Sequence, residues 1–292
     1  MKSRRLPVFF DARMAVEQLH FAPGANKPRL AVEDWIDHDL AIDICGFDPA
    51  SRDQLYAAHD RAYVDGVLAG RISNGFGNRN LAVAETLPWT SGSMRAAAHH
   101  ALQHGGIACS PTSGFHHAHH DASGGYCTFN GLLVAALDLL RDSPELYIAI
   151  LDFDMHYGDG TDQILRHLGL QGRISHVTAG KDFDRGMGAD FMDQMHLMID
   201  GARIESQGRV PDLMLYQAGA DPHLNDPLGG MLSDRQLELR DAEVFRYCRL
   251  QSVPVAFNLA GGYQRDARDG IAPVLAIHRR TVAQAMACLN QS

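Results

Sequence analysis

The stretch that decides the fold is Leu146-Tyr147-Ile148-Ala149-Ile150-Leu151, followed at once by Asp152-Phe153-Asp154-Met155-His156-Tyr157-Gly158-Asp159-Gly160-Thr161. Six consecutive apolar residues, two of them β-branched isoleucines, read as a strand buried on both faces. The polar cluster then falls at the C-terminal end of that strand, where open α/β sheets bind their ligands. Asp154 and His156 are two residues apart, so in an extended stretch their side chains leave the same side of the backbone and can converge on one ion. An oxygen and a nitrogen donor suit a divalent transition metal such as zinc. A solvated strand end with a glycine-containing turn would account for Gly158 and Gly160. It would not account for Asp152, Asp154, His156 and Asp159 packed together where the chain should be burying a core.

The same pattern recurs outward in both directions. Ile107-Ala108-Cys109 runs into a loop containing Gly114-Phe115-His116-His117-Ala118-His119-His120-Asp121, with four histidines in five residues. By composition alone this is a solvated, loosely metal-binding loop, but it too leaves the C-terminal end of an apolar strand. Ala98-His99-His100-Ala101 holds the same triplet in a helical window flanked by alanines and reads as ordinary helix. A strand over 212–217 ends in Ala218-Gly219-Ala220-Asp221, and one over 253–259 ends in Ala260-Gly261-Gly262-Tyr263. Four strand ends therefore offer the histidine pair, the acidic cluster, Asp221 and Tyr263 to one edge of a sheet. Strand, loop and helix alternate throughout, which predicts an α/β fold with a doubly wound, mostly parallel sheet and helices on both faces.

Between these anchors the periodicity predicts a short strand over 7–10 and an irregular Pro- and Gly-containing segment over 20–29. A single helix follows over 51–68 with Ser51 as its N-cap, then a loop over 70–80 and a helix over 94–104 stopped by Gly105-Gly106. Asn130 caps a helix through Leu140. Beyond the central strand come a helix over 162–168, a strand over 174–178, a loop over 180–188 and a helix over 189–204. The Met195 and Met198 stripe of that last helix reads as core packing.

At 292 residues and 46% hydrophobic content the chain can bury one large core, and a single catalytic domain over 1–292 is expected. A formal net charge of −9, with no basic run beyond residues 2–5 and Arg279-Arg280, offers nothing to a phosphate backbone or an anionic membrane. No nucleic-acid or membrane partner is expected. Five scattered cysteines without a CxxC pair fit a reducing compartment. The apolar run over 6–10 is too short for a signal peptide, and no run approaches the ~20 residues of a membrane span, so the expected location is cytoplasmic.

In this order, His59-Asp60-Arg61-Ala62-Tyr63, Gly114 to Ala118, Asp152 to Thr161, Gly219-Ala220-Asp221 and Gly261-Gly262-Tyr263 resemble the motifs of the histone deacetylase superfamily, which includes acetylpolyamine amidohydrolases and acetoin-utilisation proteins. Each motif alone is weak; all of them in sequence are specific, and they span nearly the whole chain. The resemblance implies the arginase-deacetylase fold. It implies zinc, with iron(II) as the alternative ion, on Asp154, His156 and Asp221, and a structural potassium ion near Asp152. It implies His116 and His117 as a catalytic pair backed by Asp152 and Asp159, and Tyr263 as the residue that polarises the acyl carbonyl. Phe115, Gly125, Tyr126 and Leu228 match positions that line an acyl tunnel.

The implied activity is hydrolysis of an N-acyl amine, such as acetyl-lysine, by metal-activated water. The 70–80 loop has no acidic residue where peptide deacetylases grip the substrate backbone, which shifts the expectation toward small acylated amines or polyamines. An arginase-like ureohydrolase would need a second acidic cluster for its two metals, where this chain has only Gly219-Ala220-Asp221-Pro222-His223. A non-catalytic, acyl-ligand-binding homologue would not need ligands, histidine pair and Tyr263 together.

Overall fold

In the computed structural model, residues 4–16, 23–182, 191–205 and 208–291 are described. Seven parallel strands form one sheet: β1 (Leu6–Phe9), β2 (Ile42–Cys45), β3 (Ile107–Ser110), β4 (Ile148–Asp152), β5 (Ile174–Thr178), β6 (Leu213–Gly219) and β7 (Val255–Ala260). Their spatial order is β2-β1-β3-β7-β6-β4-β5. Every residue of β3, β4, β6 and β7 is buried, as the continuous apolar runs require of strands covered on both faces.

Alternate residues of β4 serve opposite layers. Ala149 and Leu151 join the core shared with α1 (Lys27–Asp37), α8 (Phe191–Glu205), α9 (Asp234–Leu250) and α10 (Ala272–Leu289). Ile148 and Ile150 join the core on the other face, with α2 (Arg52–Ala58), α3 (Arg61–Leu68), α4 (Leu81–His104), α5 (Gly131–Asp142) and α6 (Asp159–Leu168). This is the period-two pattern of a central strand. Met195 and Met198 are buried in the first core.

Four local expectations are corrected. The helix over 51–68 is two helices: Ser51 caps α2 in a capping box with Gln54, and the chain then breaks at His59 because Asp60 caps α3 through the Tyr63 amide at 2.9 Å. The irregular segment over 20–29 yields to α1 from Lys27, since Pro28 in the first turn lacks only an amide hydrogen that would go unused. Its residues 20–22 lie outside the described residues. Helix α4 begins at Leu81 behind the Asn80 cap and carries Pro88 inside it. Where a loop was expected over 180–188, a short helix α7 (Ala179–Asp182) precedes residues outside those described.

Gly92 shows how tightly α4 is docked. A Cβ there would stand 2.6 Å from Asp48 O and 2.8 Å from Ala50 N, both backbone. Alanine should gain about 1 kcal/mol in helix propensity but lose on the order of 1–3 kcal/mol to overpacking. The expected result for Gly92→Ala is a lower urea midpoint than the parent; a raised midpoint would contradict this packing.

Candidate active site

The four central neighbours β3, β7, β6 and β4 carry the candidate residues on the loops after their C-terminal ends. At about 4.8 Å per strand they span only about 15 Å, close enough for side chains to meet. Asp154 and His156 follow β4 and Asp221 follows β6. One ligand-type atom from each lies within 4.8 Å of the others. His156 Nδ1 stands 3.1 Å from Asp154 Oδ1 and 2.8 Å from Asp221 Oδ2.

Two buried carboxylates this close repel, and the surroundings respond. Burial raises the Asp221 pKa, and the charge on Asp154 adds to the shift. Burial opposes ionisation of Asp154 too, but His116 and the hydrogen bonds of His156 hold it low. The bonds to Asp154 and then Asp221 push His156 up to about 10. Asp221 Oδ1 is buried without a hydrogen-bond partner, which is costly unless a cation meets it. An O, N, O donor set with an orphaned carboxylate oxygen fits a divalent ion.

Two histidine–aspartate pairs flank this cluster. His116 Nδ1 is 2.6 Å from Asp152 Oδ2, and His117 Nδ1 is 2.6 Å from Asp159 Oδ1. The rings are 4.1 Å apart between centroids. Burial opposes charge on His116, yet Asp152 and Asp154 outweigh it and raise its pKa to about 9. His117 moves the other way: burial and then the charge on His116 lower it, against the pull of Asp159. The loop is held from below by Thr161 N, which donates to His116 O at 2.9 Å, and by His59, whose Nδ1 meets His119 O at 2.8 Å while Nε2 accepts from Asn130 N at 2.8 Å.

Tyr263 lies across a cavity of about 320 Å³ whose walls include Lys27, His116, Gly125, Tyr126 and Asp154. Its ring is 5.7 Å from Tyr126 and 6.4 Å from His156, centroid to centroid. Burial, with Asp154 and Asp221 behind it, drives the Tyr263 pKa far upward, so the hydroxyl keeps its proton. Tyr126 is held at φ 65°, a strained conformation for a residue with a side chain, with its ring against Phe76 and Tyr263.

The structure brings His116, His117, Asp152, Asp154, His156, Asp159, Asp221 and Tyr263 together. Of the tunnel positions, Gly125 and Tyr126 line the cavity. Phe115 borders a smaller adjoining space of about 50 Å³, and Leu228 is exposed and absent from the wall. The control triplet is packed helix: His99 Nε2 meets Asp138 at 2.9 Å and His100 packs on Phe9.

Lys27 was missed. It is 4% exposed, donates to Gly261 O, and its pKa falls to about 8 through burial, offset by Asp221, Asp154 and Asp226. Gln217 was missed too: its Nε2 donates to Asp152 at 2.9 Å and its Oε1 accepts from Phe115 N at 3.0 Å. Neither sits in a cluster, so only a buried polar residue within a strand (Gln217) or a lysine at a helix start (Lys27) could have signalled them.

Residues 25–174, about half the chain, match a family model described as the histone deacetylase domain. An uncharacterised protein of Picosynechococcus sp. is 28% identical over 240 residues, covering 75% of this chain and 76% of that one. Acetylpolyamine amidohydrolase 1 of Pseudomonas aeruginosa is 30% identical over 174 residues, 52% of this chain and 49% of that one, so the chain spans about half of its length. The structure of an acetylpolyamine aminohydrolase from Burkholderia pseudomallei superimposes with a TM-score of 0.70 over 96% of this chain and 98% of that one, at 17% identity, a likeness of fold.

Gly261 tests the site's tolerance. It sits at φ 51°, and a Cβ would overlap Asp221 Oδ1, whereas Gly77 at φ 72° has nothing within 4 Å. Alanine at either costs about 1–2 kcal/mol in backbone strain. Only Gly261→Ala should also displace Asp221, with at least tenfold weaker metal retention in a chelator competition; equal retention in the two variants would contradict the close approach.

Proposed function

The chain belongs to the histone deacetylase family, and on that premise we propose that it is a zinc-dependent amidohydrolase removing acetyl or short acyl groups from an N-acyl amine. The observation that carries this reading is the clustering of three ligand-type side chains and two histidine–aspartate pairs beside a cavity walled by His116, Asp154 and Tyr263. A divalent ion bound by Asp154, His156 and Asp221 would polarise an acyl carbonyl and acidify a water. Iron(II) is the alternative ion, and a potassium ion beside Asp152 completes the proposed complement.

The chain's own groups divide the proton work. Asp159 on Nδ1 fixes that proton, leaving Nε2 of His117 to accept one from water and return it to the leaving amine. Burial, and then the charge on His116 clamped by Asp152, lowers the His117 pKa and so keeps the base neutral. The Tyr263 hydroxyl donates to the oxyanion as it develops.

The substrate proposed is a small acylated amine or polyamine in preference to a peptide held by its backbone. In the 70–80 loop Asn74 Nδ2 donates to Asn78 Oδ1 at 2.9 Å and Phe76 N to Asn74 Oδ1 at 3.0 Å, so the loop satisfies itself and offers no carboxylate. One relative's name, acetylpolyamine amidohydrolase, supports the same class. Acetyl-lysine amides remain the second substrate. Turnover of a panel of acetylated polyamines, short acyl amines and acetyl-lysine peptides tests the reading; hydrolysis of none would overturn it.

Two variants probe the roles. Tyr263→Phe keeps the ring and removes a donor needed only at the transition state, so kcat and kcat/KM should fall together by roughly 10²-fold or more; a change confined to KM would contradict the role. Because the His117 pKa lies below its ordinary 6.5 and Asp159 pulls it up, the acid limb of kcat/KM should lie below 6.5. Asp159→Asn should move that limb to still lower pH, and a move upward would rule out His117 as the base.

A further inference from the structure

Helix α9 carries a buried arginine that no step above uses. Arg240 is 1% exposed, and a guanidinium so placed destabilises the fold unless charge and hydrogen bonds compensate it. Asp241 supplies the charge, accepting from Nε at 2.9 Å, and is itself held by the hydroxyls of Tyr216 and, at 2.6 Å, Thr281. Among the described residues the rest of the side chain hydrogen-bonds no second acid, and Nη2 is buried without a partner. The guanidinium reaches two carbonyls instead: Nη1 donates to Phe153 O at 3.1 Å and to Gly219 O at 2.6 Å.

Those carbonyls are not arbitrary. Phe153 immediately precedes Asp154, and Gly219 stands two residues before Asp221. Strands β4 and β6 pair directly as far as Asp152 and Gln217, and Phe153 N still donates to Gln217 O at 3.0 Å. Past that point β4 gives way to its ligand-bearing loop, while β6 stays paired with β7 as far as Gly219 before its own loop to Asp221 begins. One nitrogen of Arg240 ties the start of the β4 loop to the end of β6 where the ladder between them has stopped.

We propose that Arg240 is a positioning residue for the metal centre, clamping the β4 and β6 loops so that Asp154, His156 and Asp221 keep the spacing of a single ion. This rests on the metal-binding reading of the site. The guanidinium is suited to the task because it is permanently charged and its planar fork serves Asp241 and both carbonyls at once. It also sets a fixed positive charge that acts on one ligand carboxylate, Asp221.

The test uses Co²⁺ as the probe, in the full chain with the parent as reference. Arg240→Met removes the clamp but strands Asp241, so Arg240→Met/Asp241→Asn is made beside it; asparagine accepts from the Tyr216 hydroxyl through Oδ1 and donates from Nδ2 to the Thr281 hydroxyl, without a buried charge. Folding is checked by circular dichroism, affinity by chelator competition, and ligand geometry by the Co²⁺ absorption bands, which a merely structural loss would leave unchanged in a folded variant. The expected result is a folded variant with Co²⁺ bound about 10- to 100-fold more weakly, the range for residues that orient metal ligands, and with shifted bands. A folded variant with the parent's affinity and spectrum overturns the proposal, as does failure of both variants to fold, which would make Arg240 structural only. A parent that binds no Co²⁺ would overturn the metal reading and this inference together.

Discussion

Two carboxylates, Asp154 and Asp221, are buried within contact distance of one imidazole, and the rest of the site answers that constraint. Ionised groups of like sign cannot share a dry pocket unless positive charge is brought to them. The fold brings it from every side. His156 stands between them, His116 leans on Asp154 at 3.6 Å, and Lys27 reaches the adjacent glycine turn. Arg240 supports the backbone beneath them. Asp221 still keeps one oxygen without a partner. The protein compensates most of the charge and leaves a place for a cation.

A parallel sheet makes such a concentration feasible. All strand C-termini lie on one edge, and the four that carry chemistry are neighbours, so loops distant in sequence meet over a few strand widths. The glycines at 219, 261 and 262 let those loops approach more closely than any side chain would permit. The aromatic residues Phe76, Tyr126 and Tyr263 then narrow the approach to the cavity. The proposed preference for a slender acyl amine rests on that shape together with a neighbouring loop that offers no acid.

The parallel α/β sheet and the clustered residues were legible because the residues lie in contiguous motifs at the ends of apolar runs, and the resemblance of those motifs to a known family implied the arginase-deacetylase fold. A strand buried on both faces has few other readings, and Asp152 to Thr161 announces itself. What was not legible lies alone. Lys27 opens a helix just ahead of a proline, a position that reads as loop, and Arg240 looks like one more charge on a helix rich in them. Their importance comes from tertiary placement, which no local period encodes. The break at His59 was hidden for a related reason: the apolar spacing runs through it, and only the cap formed by Asp60 interrupts the helix. The helix expected only over 94–104 runs from Leu81 through Pro88, since a proline within a long docked helix is tolerated when packing outweighs one missing hydrogen bond.

The central claim is that Asp154, His156 and Asp221 hold one divalent ion. Equilibrium dialysis against Zn²⁺ followed by metal analysis, on the parent and on Asp221→Ala with folding verified by circular dichroism, tests it most directly. One equivalent of zinc in the parent and none in a folded Asp221→Ala is the result this account requires; one equivalent retained by the variant would contradict it.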